Sequence, residues 1–261
     1  MIVDIHTHIF PPAFIRDRAR LAAHDPQFGV MYADDRARMA TAEDLRASMR
    51  DAGVDVSVAC GFWWADPALA EEHADYLGRV AAESDGAIVA FGPTFEASPG
   101  CAGIGEVRLG DPSAFPLVDR PLLVHCSEDT GHEYPGKTGG LTAGGVLRVL
   151  EASSEARVIA AHWGAGLPFF ALMPEVARLL QEDRLLVDTA ASAYLYAPAV
   201  FATAIDLIGA ECIAWGSDYP LRPQALDLAE ARAALPSRHG DAARDAILGT
   251  NAARFLGLRV D

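Results

Sequence analysis

The chain has 261 residues, 51% hydrophobic and 22% charged, a balance that suits a soluble α/β domain with a large core. Its 36 acidic groups against 21 basic ones leave a net charge of −15, with no Lys/Arg cluster. That excludes unaided binding of nucleic acid or of an anionic membrane surface, because both need a basic face.

Short apolar runs alternate with helical patterns along the whole chain. The first run, Ile2–His6, follows no basic segment, apolar stretch and cleavage site in order, so no secretory leader is expected. Thr41 can cap a helix that ends before Gly53. Val54–Cys60 is the second strand, and Asp66-Pro67 reads as N-cap and first residue of a helix running toward Ser84. Ala87–Gly92, Ile104–Leu109 and Leu122–Cys126 are the next three strands. The connections between them, Pro93–Gly103 and Gly110–Pro121, are short and contain Pro and Gly. A parallel crossover ordinarily takes a dozen or more residues, so one or two outer helices are expected to be reduced around strands three to five. A homo-oligomer would be one way to cover that side.

The remaining strands are Arg157–His162, Leu185–Thr189 and Cys212–Gly216, set between helical stretches Leu141–Ala152, Pro174–Glu182, Ala197–Ile208 and Pro223–Leu235. Asp241–Leu256 reads as a closing helical region. Several strands are continuously apolar, as parallel strands covered on both faces must be. Eight of them predict a (β/α)₈ TIM barrel in a single domain over residues 1–261. No apolar run approaches the roughly 18–20 residues that span a bilayer. Cys60, Cys101, Cys126 and Cys212 are scattered and read as reduced thiols of a cytoplasmic protein.

The sharpest chemical signal is Asp4-Ile5-His6-Thr7-His8. Alternate residues of a strand share a face, so His6 and His8 project together and can hold one metal ion. Glu106 in strand four, His125 ending strand five, His162 ending strand six and Asp218 after strand eight are likewise ionisable groups at the mouth ends of apolar runs. Singly, such a histidine is ordinarily a hydrogen-bonded core residue, and such an aspartate a helix cap. Six converging on one barrel mouth make those readings jointly poor. Nitrogen and oxygen donors of this mix suit Zn²⁺ first, with Mn²⁺, Fe²⁺ and Co²⁺ also compatible. Arg108 alternates onto the face of Glu106 and can hold a substrate carboxylate or balance the acidic site. His132, Tyr134 and Lys137 lie in a loop that overhangs the mouth, where they either touch substrate or are solvated. Cys60 reads as a small buried hydrophobe rather than a ligand. His24, His73 and His239 read as surface residues.

Asp4–His8, Val124-His125-Cys126, Ala161–Phe169 and Trp215-Gly216-Ser217-Asp218-Tyr219-Pro220 together resemble the amidohydrolase superfamily. They are most similar to its amidohydrolase-related branch, which includes decarboxylases of the aminocarboxymuconate semialdehyde type, and Asn251–Leu258 resembles the closing helix of that branch. The resemblance implies that His6, His8 and Asp218 bind metal, that His125 is a ligand, and that His162 is a second ligand or the catalytic base. Glu106 departs from the mononuclear decarboxylase pattern and is similar to the bridging glutamate of binuclear members such as TatD-like nucleases, which implies one or two ions per chain.

In the hydrolase this suggests, an ion lowers the pKa of bound water from about 15.7 toward ~7 for attack on a small ester, lactone or amide. Asp218 relays the proton and His162 steadies the developing oxyanion or transfers a proton. The alternative on the same platform is a lyase, a non-oxidative decarboxylase or hydratase of an unsaturated or aromatic acid. A third, from another class, is a silent barrel that only binds. Each takes a small molecule as partner.

Overall fold

The computed structural model describes residues 1–258. Eight parallel strands lie side by side in chain order: β1 (Val3–His8), β2 (Val56–Cys60), β3 (Ile88–Gly92), β4 (Cys101–Val107), β5 (Leu122–Val124), β6 (Val158–Ala160), β7 (Leu185–Asp188) and β8 (Ile213–Ala214). Backbone bonds from Ile5 N to Trp215 O (3.0 Å) and from Asp218 N to His6 O (3.0 Å) join β1 to the segment of β8. The result is the (β/α)₈ barrel that the alternating pattern predicts.

Strand periodicity sorts the side chains. Leu123, Ile159, Leu186 and Ala214 point inward, where Val3, Ile5, Val58 and Phe91 join them. Their neighbours Leu122, Val124, Val158, Val187 and Ile213 point outward and pack under the helices. Phe255 and Ala252 of the closing helix Asn251–Leu256 share the inner cluster, and the Arg157 guanidinium stacks over Phe255 at 4.4 Å where β6 begins. The closing helix therefore seals the end opposite the mouth.

The outer layer follows its punctuation. Helix α4 (Ala42–Ala52) opens on a capping box between Thr41 and Asp44 and stops at Gly53, whose φ of 69° is the left-handed conformation glycine adopts cheaply. Helix α5 (Pro67–Ala82) starts on the Asp66 cap and Pro67. Between β3 and β4 there is no helix, and between β4 and β5 only a 3₁₀ turn, Pro112–Ala114. Those are the two reduced crossovers expected.

A part not expected is the β1–β2 connection, which carries three short helices, α1 (Pro12–Arg16), α2 (Arg18–His24) and α3 (Pro26–Tyr32). They bury a cluster of their own, Phe10, Phe14, Phe28, Tyr32, Phe62 and Trp64, beside the mouth. His73 belongs with it, which corrects its reading as a surface residue. It is 0% exposed, Nε2 donates to Ile9 O at 2.7 Å, and Nδ1 accepts from Trp64 Nε1 at 3.1 Å. His24, by contrast, is exposed against Asp66, and His239 is partly covered against Asp206.

Burial pushes the His73 imidazole down to about 4, so the native protein holds it neutral. The unfolded chain takes up a proton near 6.5 that the native state refuses until about 4. Stability is therefore complete above pH 6.5 and falls as pH drops through that window. In urea titrations from pH 7 to pH 5, the wild type should lose ~2 kcal/mol more than His73→Gln, which carries no such proton. Parallel losses in the two proteins would reject the assignment.

Candidate metal centre

Each ionisable group of the mouth gets there by its own local device. His125 and Asp188 follow simple alternation from Leu123 and Leu186. On β1 and β4 plain alternation fails, because Val3 and Ile5 point inward and would send His6 and His8 outward. The β1–β2 register shifts between Asp4 and Thr7, and the β4–β5 register shifts between Ile104 and Val107. Such irregularities re-aim side chains at strand ends. They turn His6, His8 and Glu106 into the mouth, while Asp4 meets Ser217 and Gln224 instead.

After β6 the chain makes a left-handed turn, with φ between 55° and 82° at residues 162–166. That conformation costs roughly 1–2 kcal/mol for each non-glycine residue. It is held by His162 N donating to Asp188 Oδ1 at 2.8 Å and by Trp163 Nε1 donating to Ser192 Oγ at 2.7 Å. The strain places the His162 ring in the site. Beyond β8, Gly216 gives room: a Cβ there would stand 2.8 Å from His6 Cβ.

Six groups then fall into two triads. His6, His8 and Asp218 form one, and Glu106, His125 and His162 the other, with donor atoms in each triad within 4.8 Å of one another. In the first, His6 Nε2 and His8 Nε2 stand 3.1 Å apart, and Asp218 Oδ1 lies 3.8 Å and 3.5 Å from them. Donors bound at about 2.0–2.2 Å around one ion are separated by about 3–3.7 Å, so the triangle fits a divalent cation. His6 Nδ1 is committed to Asp188 Oδ2 at 2.8 Å, which leaves the Nε2 lone pair facing the triad. Asp188 was missed in the sequence, although it too ends an apolar strand.

The electrostatics point the same way. Burial works against charge on Asp218, yet the histidines around it hold its carboxyl well below the usual range. Glu106 is likewise held far down despite burial, by Arg108 and His125. Burial would lower His6, but Asp188 and the other carboxylates drive it up to about 10, so a bound ion would have to displace the proton from Nε2. Carboxylates held ionised in a buried pocket, Asp218 and Glu106, call for cations.

The second triad already has one. Glu106 Oε1 is 2.8 Å from His125 Nδ1 and 3.4 Å from His162 Nε2, but Arg108 Nη2 approaches His125 Nδ1 to 3.4 Å and Arg108 Nε is 3.8 Å from Glu106 Oε2. Burial and Arg108 push His125 down to about 4, keeping its imidazole neutral.

Above the triads lies a cavity of ≈ 350 Å³. His8, Glu106, Arg108, His125, His162 and Asp218 form its polar lining, and Tyr32, Phe62, Trp63, Tyr134, Tyr194 and Leu195 its walls. His132 also lines it, whereas the Lys137 ammonium turns into its own loop, donating to Asp129 O (3.1 Å), Gly131 O (3.3 Å) and Glu133. Cys60 is fully buried and outside both triads, and burial pushes its thiol well up.

Residues 142–258 match the family model described as amidohydrolase. No curated protein matches the chain. Among solved structures, the chain is similar to 5-carboxyvanillate decarboxylase from Novosphingobium aromaticivorans, complexed with manganese and 4-hydroxy-3-methoxy-5-nitrobenzoic acid, at TM-score 0.69 and 15% identity over 99% of this chain and 96% of that one. It is similar to 2,6-dihydroxybenzoate decarboxylase from Rhizobium at TM-score 0.67 and 16% identity, covering 98% of each chain. An amidohydrolase from Burkholderia multivorans gives TM-score 0.64 and 15% identity, covering 99% of this chain and 100% of that one. At these identities the structural likeness is one of fold. The family match over residues 142–258 is in line with the resemblance to the amidohydrolase-related branch. Among the described residues no helix is long and apolar enough to cross a membrane.

Proposed function

We propose that this barrel is a metal-dependent lyase that removes carbon dioxide from a small aromatic carboxylic acid. The observation that carries the reading is Arg108. Its guanidinium is buried on the cavity wall beside the metal triad, with Nε lacking any hydrogen-bond partner among the described residues. An arginine on the wall of a cavity offers a planar guanidinium whose geometry a carboxylate matches. Aromatic walls around the cation suit a flat ring. The likeness to decarboxylases of aromatic acids supports the same choice.

His6, His8 and Asp218 would hold the ion, which when bound supplies a Lewis acid that withdraws electron density from a substrate oxygen. Imidazole and carboxylate donors suit Zn²⁺, and equally the manganese of the vanillate decarboxylase complex. Arg108 would take the carboxylate, and Phe62 and Trp63 the ring. As the bond to the carboxyl carbon breaks, its electron pair stays on the ring carbon and carbon dioxide leaves. The ionised Asp218 carboxylate would take up a proton from solvent and pass it to that carbon, completing the new C–H bond. Burial works against charge on His162, yet Glu106 and nearby carboxylates raise its pKa; with Nδ1 donating to Ala190 O at 3.1 Å, it would present a protonated Nε2 to charge building on the substrate. Lys137 and His132 would shape the loop above.

The hydrolase reading is favoured by one feature, the Glu106–His125–His162 triad, which could take a second ion. In that case Asp218 would accept a proton from the attacking water. Arg108 weighs against it, because a guanidinium within 4 Å of two of the three donors repels a second dication.

Metal-replete protein should therefore carry about one equivalent of transition metal, not two. Given a panel of hydroxybenzoates, it should release carbon dioxide in step with loss of the acid. Two equivalents of metal, with acid released from lactones and no carbon dioxide from any benzoate, would reverse the preference.

A further inference from the structure

The three helices between β1 and β2 bring Tyr32, at the end of α3, onto the cavity wall. Tyr32 is 8% exposed, and its hydroxyl has no hydrogen-bond partner among the described residues. A phenol on a cavity wall can donate to an acceptor that enters the cavity. Its ring cannot swing away: Phe28, Phe10 and Phe62 pack on it with centroids at 4.8, 5.3 and 5.8 Å.

The backbone beneath it is braced as well. Arg18 Nε donates to Tyr32 O at 2.6 Å, and Nη2 donates to Ala37 O at 2.8 Å and to Asp34 O. One guanidinium thus gathers the carbonyls at the end of α3. The helix also reaches the Arg108 anchor. Arg108 Nη1 donates to Gly136 O at 3.1 Å, and a Cβ added to Gly136 would lie 3.1 Å from Arg108 Nη2 and 3.2 Å from Met31 Sδ. The residue before Tyr32 therefore packs on the loop that holds the carboxylate-binding side chain. Arg108 and Tyr32 thus line one aromatic cavity.

We propose that Tyr32 is a specificity-determining residue whose hydroxyl donates a hydrogen bond to an oxygen substituent on the ring of the acid held by Arg108. This rests on the aromatic-acid reading above. A site built to bond such an oxygen discriminates against the analogue that lacks it.

The test is calorimetric titration of metal-loaded wild type and Tyr32→Phe with benzoate and with 2,6-dihydroxybenzoate. Wild type should bind the hydroxylated acid at least roughly 2–13-fold more tightly, the ordinary worth of one such bond. Tyr32→Phe should lose that factor of preference, with its constant for benzoate unchanged from wild type. An undiminished preference in the variant, or no preference in wild type, overturns the assignment while leaving the aromatic-acid reading intact. Loss of benzoate binding in the variant makes Tyr32 a wall rather than a reader, which also overturns it. Wild type that binds neither acid removes the aromatic-acid reading, and this inference with it.

Discussion

Asp218→Asn protein is expected to keep most of its metal and to lose turnover by roughly 10²–10⁴, the usual worth of a positioned acid or base. Asparagine is the right probe because of the backbone. Asp218 has φ of 58°, a left-handed conformation that Asn tolerates better than other side chains with a Cβ. Its amide N is also fixed by His6 O at 3.0 Å, a bond the substitution leaves alone. The side-chain oxygen that faces His8 Nε2 at 3.5 Å can still coordinate, but it can no longer carry a proton. Had Asp218 only capped the segment after β8, Asn would cap equally well and activity would be unchanged. The side chain makes no capping contact and points at two imidazoles instead. Near-normal turnover with full metal would remove the proton-transfer role, and joint loss of metal and turnover would leave Asp218 a ligand alone.

Much of this site was legible because a parallel barrel places chemistry at strand ends, and strand ends are marked where apolar runs stop. His125 follows Leu122-Leu123-Val124 and His162 follows Val158-Ile159-Ala160-Ala161, so both could be placed from the pattern. His6 and His8 share a face, as their spacing predicts, but it is register shifts that turn that face, and Glu106, into the mouth. Those shifts depend on pairing between strands, which one strand's sequence does not contain.

Other misses carried signals that were present. Asp25-Pro26 opens α3 with the same cap and first residue as Asp66-Pro67 opens α5. The insertion was passed over because helices of five to seven residues show too little periodicity. His73 sits at helical spacing with Leu69, Ala70, Leu77 and Val80, all buried, so its burial could have been read. Lys137 lies in the overhanging loop as expected. The direction of its ammonium depends on loop carbonyls that no sequence pattern locates.

Asp188→Asn should weaken the metal by 10–100-fold, the usual cost of removing the carboxylate behind a ligating imidazole. Asp188 ties three parts of the site together. Oδ2 accepts from His6 Nδ1 at 2.8 Å, while Oδ1 accepts from His162 N at 2.8 Å and Ala190 N at 3.0 Å. The negative charge makes the His6 ring a stronger donor, and the fixed direction of that bond decides which nitrogen faces the triad. Asn has one acceptor where Asp has two. Either the ring or the left-handed turn beginning at His162 must give up its partner, leaving an NH₂ group against buried donors. The loss should therefore appear twice, as weaker metal in a competition titration and as a lower melting temperature of the metal-free protein. If Asp188 only filled space, the melting temperature would fall while the metal affinity of the folded protein stayed the same. Unchanged affinity would separate β7 from the metal centre and leave His6 oriented by its strand alone.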